Sequence, residues 1–323
     1  MKRLRKKWKI PDFWGGPVWN KFCGTILFSA IFCLLLNACA GKRPVEKSPE
    51  PVCGEKHLLW KAEKSGAPAV WLLGSIHLAD SSFYPFPSVI DSAFAASTLL
   101  AAELDLNEES TVQETAQLMA EKGRLPSGMT LEEVLPKNLY AQVDSLLQDW
   151  EIPFEIFKPF RPWMIAVSLS AMAIERTGLS GEYGIDVQLL AEANDLQKEI
   201  FAIETPAEQV NVFSNAEDSL GIQYLKNTLN EIAVADSFVN EIANAWKCGD
   251  ANKMRDLLES DSSDDVYAEE LYTKRNIRMA ESIDSLASLG KKVFVVVGAA
   301  HLVGKDDNVL KLLDKRGYRI EQW

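Results

Sequence analysis

Apolar positions along this chain fall into two kinds of stretch: short runs of branched and aromatic residues near both ends, and amphipathic stretches between them. Val70-Trp71-Leu72-Leu73 stops at Gly74-Ser75-Ile76-His77, and Val293-Phe294-Val295-Val296-Val297 stops at Gly298-Ala299-Ala300-His301. Runs of four or five such residues closed by Gly predict buried strands, and the Gly lets the backbone turn where the strand leaves the sheet. Both histidines are therefore expected at the mouth of a sheet. The chain has only three.

His57 to Glu63 and Ala69 to Ile76 flank Lys64-Ser65-Gly66-Ala67-Pro68, which predicts a hairpin. A helix is expected from about Ser88 to Ala96, then a strand over Thr98 to Ala102 that runs out into Glu103-Leu104-Asp105. Helical periodicity dominates the middle, over Glu114 to Lys122, Thr130 to Leu135, Asn138 to Asp149, Arg161 to Thr177, Ile185 to Asn194 and one long piece from Asp218 to Trp246. Glu199 to Ile203 interrupts these as a strand. Thr205-Pro206-Ala207-Glu208 after it is a capping box with Pro at the first helical position, which puts Glu204 at a strand-to-helix corner. Further helices are predicted over Lys253 to Leu258, Asp265 to Leu289 and Asp306 to Lys315, with strands over Lys292 to Val297 and Tyr318 to Glu321. The fold class is α/β: a central sheet assembled from N- and C-terminal strands, with helices packed around it and a large helical middle segment.

The first residues change the picture of where such a domain works. Six basic residues between Lys2 and Lys9 precede an apolar stretch from Gly24 to Leu36 and then Leu36-Asn37-Ala38-Cys39. A charged start, a short apolar run and a small-residue cleavage site predict a signal peptide over 1–38. The last four residues resemble a lipobox, with Cys39 as the lipidated first residue of the mature chain; an ordinary signal peptide and a membrane anchor that stays on are the other readings. Residues 39–52 are polar and Pro-containing and read as a tether, leaving 53–323 as one α/β domain. Ala40, rather than Asp, after the Cys is the pattern of an outer-membrane destination facing the periplasm. Net charge is −12, and removing seven basic residues and Asp12 with residues 1–38 leaves 27 basic against 45 acidic, near −18. So acidic a surface excludes nucleic acid as a partner. Outside the cytoplasm Cys53 and Cys248 are free to pair, although nothing in the sequence sets their separation.

Two histidines with at least one carboxylate are donor types that hold zinc, manganese or cobalt while leaving a position open to water. His77 and His301 supply nitrogen; Glu103 leads as oxygen ligand or general base, followed by Glu204 and Asp105. Gly74, Ser75 and Gly298 leave room for a ligand near the backbone, with Glu204 at the cleft. The alternative is that each His caps its strand and bonds a neighbouring carbonyl. Arg275 and Asn276 suit a substrate carbonyl or carboxylate, or else a solvated helix face that pairs with Glu270 or Glu281. His57 starts a strand and reads as structural. The acidic run over residues 260–265 lacks the spacing of a calcium loop, and no Gly-x-Ser-x-Gly elbow, Walker loop or HExxH is present.

Taken together, WLLGSIHLAD with Tyr84-Pro85-Phe86-Pro87, Glu103-Leu104-Asp105, KPFRPW, Gly184-Ile185-Asp186, Ile203-Glu204-Thr205 with Glu208-Gln209, Arg275-Asn276 and VVVGAAHLVG resemble the TraB/PrgY/GumN family, in order from about residue 57 to 321. The resemblance implies a TIKI-like, membrane-tethered metalloprotease dependent on manganese or cobalt. Its metal site would comprise His77, His301 and Glu103, with Arg275 and Asn276 as the polar pair of the cleft. Ser75 stands where many relatives have Thr, and Ala299-Ala300 replaces a small residue plus Gly. The expected function is a divalent-metal hydrolase of peptides, anchored through Cys39. The alternatives are a lipoprotein that holds a peptide or haem-like ligand without turnover, and an esterase.

Overall fold

A computed structural model describes residues 53–262, 267–304 and 307–323. Its six strands are β1 (Leu59–Glu63), β2 (Val70–Ser75), β3 (Leu99–Ala102), β4 (Glu199–Ala202), β5 (Val293–Gly298) and β6 (Arg319–Gln322), joined in one sheet of order β4-β3-β5-β2-β1-β6. β4, β3, β5 and β2 run parallel, whereas β1 is antiparallel to both β2 and β6. Parallel strands are covered on both faces and therefore read as unbroken apolar runs. β3 and the first five residues of β5 are accordingly buried throughout.

The helices before β4 are α1 (Ser88–Ala96), α2 (Glu109–Lys122), α3 (Leu131–Val134), α4 (Lys137–Asp149), α5 (Pro162–Arg176) and α6 (Ile185–Asp195). Those after it are α7 (Pro206–Ser214), α8 (Asp218–Ile232), α9 (Ala235–Lys247), α10 (Ala251–Ser262), α11 (Lys274–Ser288), α12 (Ala299–Val303) and α13 (Val309–Lys315). No helix among the described residues is long and apolar enough to cross a membrane. Cys39, the signal and the tether fall outside the described residues.

Apolar side chains gather in two cores. One surrounds the sheet, around Leu72, Leu100, Phe294, Met279 and Ile283. The other joins the helices of the middle segment, around Met119, Val143, Trp163, Phe213 and Leu225.

Three predicted elements differ. The single helix of 218–246 is two, because Val234 leaves the helical basin at φ −118°, ψ 8°; neither Gly nor Pro marks the break, and the apolar periodicity runs on across it. The helix expected from Asp265 is a π turn, Glu269–Thr273, leading into α11; its first two residues lie outside the described ones. No element was assigned to residues 299–303, yet α12 begins there immediately after β5, so His301 stands on a helix.

The chain ends are fastened together. Cys53 and Cys248 form a disulfide across 195 residues with Cα atoms 4.5 Å apart. His57 N–H donates to the Trp323 carbonyl, and the Gln322 amide donates to the His57 and Gly249 carbonyls at 2.9 and 2.7 Å. Gly249 has φ +60°, and a Cβ there would overlap the Lys56 carbonyl, so glycine is required.

Asp284 of α11 accepts from Lys64 Nζ in the hairpin turn and from the Tyr318 hydroxyl, both at 2.9 Å. The Lys64 bond, with Tyr318, holds its carboxyl below the usual range. A lowered folded value means stability that is full above the unfolded pKa of about 3.9 and lost as pH falls through the folded one. Asp284→Asn is expected to lose about 1 kcal/mol in urea unfolding at pH 7, and the gap from wild type to close below pH 4. An undiminished gap at pH 3 would show that the charge is not what Asp284 contributes.

Candidate functional site

Because β2, β5, β3 and β4 are parallel and in level register, their carboxyl ends share one edge of the sheet. Ser75 lies opposite Gly298, Ala102 opposite Val296, and Ala102 opposite Ala202. The polar residues that follow therefore arrive side by side: His77 after β2, His301 after β5, Glu103 after β3 and Glu204 after β4. Such strand ends are where open α/β sheets place their ligands. A cleft of about 440 Å³ opens there, at the seam between the two cores, and His77, Glu103, Arg275, Gly298 and His301 line it.

Gly298 marks the meeting point. A Cβ built on it would lie 3.4 Å from Glu103 Oε1, 3.6 Å from His301 Cδ2 and 3.8 Å from His77 Nε2. Each His turns its other ring nitrogen to an anchor. His77 Nδ1 is 2.9 Å from Asp186 Oδ2 at the start of α6, and His301 Nδ1 is 2.6 Å from Asn276 Oδ1 on α11. An acceptor at Nδ1 fixes the proton there and leaves Nε2 facing the cleft.

Glu103 accepts three hydrogen bonds: from Gly298 N–H at 2.7 Å, from Arg275 Nη2 at 2.6 Å and from Gln209 Nε2 at 3.2 Å. Arg275 also donates to both oxygens of Glu204, at 2.8 and 2.7 Å. Gln209 reaches Glu204 as well, at 3.1 Å, and arrives there because the Thr205–Glu208 capping box sets the first turn of α7.

Electrostatics separate the two imidazoles. Burial, then the Arg275 charge, push His301 down to about 3, so it is neutral at physiological pH. Burial also opposes charge on His77, but the Asp186 carboxylate outweighs it and raises His77 to about 9; the ring keeps 35% exposure, and water tempers that rise. Burial works against the Glu103 charge too, yet Arg275 draws its carboxyl down to about 2. A neutral His301 adds no charge to this above about pH 3, which leaves Arg275 as the leading partner, with the His77 charge and the Gly298 N–H acting in the same direction. Arg275 is itself held more firmly protonated by the two carboxylates, despite its burial.

The structure thus brings His77, His301, Glu103, Arg275 and Asn276 together, and the last two are buried rather than on a solvated helix face. It places other expected residues elsewhere. Glu204 is 3% exposed behind Arg275 and does not line the cleft. Gly74 is packed on Ala299, where a Cβ would come within 3.1 Å of the Ala299 Cα. Asp105 accepts from the Asn107 N–H at 3.1 Å in a local turn. Ser75, by contrast, does line the cleft. His57 precedes β1 beside the end of β2 but does not line the cleft, and its backbone is bonded to the C-terminal residues.

Asp186 and Gln209 had no assigned role. Both fall in segments that carry the family resemblance, Gly184-Ile185-Asp186 and Glu208-Gln209, and the structure shows the local reason at one of them: a Cβ on Gly184 would overlap the His77 carbonyl.

The donor chemistry fits a divalent metal, with two anchored imidazoles and an ionised carboxylate facing one point. The donors are not closed around that point: His301 Nε2 is 4.0 Å from Glu103 Oε1, and among the described residues no three His, Cys, Asp or Glu side chains form a metal-holding group.

Known proteins can be set beside this geometry. The model of the TraB/PrgY/gumN family matches residues 58–322. The metalloprotease TIKI2 of Xenopus tropicalis is 25% identical over 92% of this chain and 65% of its own length. The human metalloprotease TIKI1 is 24% identical over 81% of this chain and 61% of its length. The uncharacterized protein YbaP of Escherichia coli is 25% identical over 72% of this chain and 84% of its own. This chain therefore spans under two thirds of the TIKI proteins it matches. No solved structure matches it significantly.

Removing Arg275 would take the nearest cation from two buried carboxylates and leave Glu204 only the partly exposed Arg278, 3.7 Å away. Arg275→Met is expected to lose about 3–5 kcal/mol at pH 7, and to recover part of that at pH 4.5, where the carboxyls can take protons. Equal losses at both pH values in urea unfolding would assign the effect to packing instead.

Proposed function

This chain belongs to the TraB/PrgY/gumN family, and from that premise we propose that it is a metal-dependent hydrolase of peptides. The observation that carries the reading is the convergence of His77 Nε2, His301 and Glu103 Oε1 on Gly298 at the ends of three neighbouring parallel strands. TIKI relatives named as metalloproteases support it at low identity. Manganese or cobalt is the proposed metal, with zinc as the other option, held by His77, His301 and Glu103. Bound there, such an ion would supply a water of lowered pKa and polarise a carbonyl.

The residues of the chain have distinct tasks. His301 is neutral and has no proton to lose before acting as a donor. His77 is aimed by Asp186. Glu103 already accepts three hydrogen bonds, which favours a fixed anionic donor over a proton acceptor. Arg275 and Gln209 hold that carboxylate in place, and Glu204 holds Arg275. Gly298 keeps the meeting point clear.

The site of action is proposed to be outside the cytoplasm, on a chain anchored through Cys39 to a bacterial membrane. The Cys53–Cys248 disulfide supports an oxidising compartment. A second reading, a lipoprotein that binds a peptide or haem-like ligand without turnover, is favoured by the open spacing of the three donors.

Calorimetric titration with Mn²⁺, Co²⁺ and Zn²⁺, alongside cleavage of a peptide library, tests both. One equivalent of metal and metal-stimulated cleavage are expected, with both lost in His77→Ala and His301→Ala. Gly298→Ala is expected to keep its melting temperature, since its methyl makes only ordinary contacts, and to lose metal binding because that methyl fills the meeting point. Metal uptake unchanged in both His variants would remove the site; ligand binding that survives chelation, with no cleavage, would favour the second reading.

A further inference from the structure

Beyond the polar groups, the cleft has walls that the chemistry above leaves unused. They include Val167, Ala171 and Ile174 of α5 and Phe238, Val239 and Ile242 of α9. Its 440 Å³ is within the range of pockets that bury a ligand largely through apolar contact. Every charged side chain lining it already has a partner in the protein: Arg275 with Glu103 and Glu204, and His77 with Asp186. The other described residues that line it are uncharged. Away from a metal at the strand ends, a substrate carboxylate or phosphate lodged against these walls would lose its water and find no free protein cation, which is costly. Affinity must then come from apolar area removed from water.

The polar end fits an amide. Ser75 Oγ is buried on a residue that lines the cleft and has no hydrogen-bond partner among the described residues. A buried hydroxyl without a partner implies a group that completes it, and a peptide carbonyl is an acceptor of that kind. The two ends are also held at a fixed separation. Trp246 of α9 donates from Nε1 to the Gly74 carbonyl of β2 at 2.7 Å, and the disulfide secures the residue after α9. The apolar wall is therefore pinned to the strand that delivers His77.

On the peptidase reading, we propose that the site selects peptides with a large aliphatic or aromatic residue beside the scissile bond, and that α5 and α9 hold that residue. Ile242, Ile174 and Phe238 set its size; Ser75 positions the neighbouring carbonyl.

The test uses the purified protein and a fluorescein-labelled ten-residue peptide of Gly, Ser and Ala that carries a central Leu, Phe, Ser, Asp or Lys. Fluorescence anisotropy with and without Mn²⁺ reads binding, and mass spectrometry reads cleavage. The Leu and Phe peptides are expected to bind about a hundredfold tighter than the Ser peptide, and to be cut beside the apolar residue. Ile242→Ala should shift the preference from Leu towards Phe, a ratio that a merely weakened fold would not move, and Ala171→Leu should shift it back. Apolar-selective binding without cleavage would keep this inference and remove the peptidase reading. Cleavage with no preference, a preference for Asp or Lys, or no binding by any peptide would overturn the inference, as would hydrolysis of a long-chain acyl ester while every peptide stays unbound.

Discussion

Arg275 places a charged guanidinium, 7% exposed, between two carboxylates that end neighbouring strands. Burying three charges costs several kcal/mol per ion unless each is met by good hydrogen bonds, and here nearly every polar atom is met. Glu103 takes the Gly298 N–H besides Arg275 and Gln209, so a single network ties β3, β4, β5, α7 and α11. Asn276 is the next residue on α11, so the helix that positions the guanidinium also orients His301. The sheet edge would otherwise be a row of strand exits with separate loops; the network makes it one rigid surface.

Repetition of a motif does not mean repetition of its chemistry. His77 and His301 follow matching strand-Gly-x-x-His phrases, yet one sits beside an aspartate in a partly open cleft and the other beside an amide near a buried cation. The first is favoured as imidazolium and the second as neutral imidazole. Unlike surroundings thus give like groups opposite preferences for charge when no metal is bound. Asp186 and Asn276 make the difference, and neither lies in the repeated phrase.

Much of this was legible in the sequence where the information is local. Apolar runs closed by Gly located β2 and β5, the Gly-containing turn gave the β1–β2 hairpin, and the capping box placed α7. Glu103 was legible because a carboxylate directly after a buried strand has few reasons to be there except a site. Pairings over long separations were not: Asp186 is 109 residues from His77, and Arg275 is 172 from Glu103. Amphipathic periodicity also failed at Val234, since a helix can break without Gly or Pro when tertiary packing turns the chain. Glu204 was expected at the cleft because it shares its position at a strand exit with Glu103; only the three-dimensional order, with Arg275 in front of it, separates a lining residue from a supporting one.

The disulfide has a mechanical side. Cys53 precedes β1, and without a bridge any tension carried by the preceding residues would reach the sheet through His57 and the β1–β6 pairing, peeling the strands one hydrogen bond at a time. Cross-linked to Cys248, the chain hands that load to the end of α9, which is anchored by the buried indole of Trp246. A pull from the N-terminal side would thus be borne by a covalent link and a packed helix, and the sheet edge that carries the site would be spared.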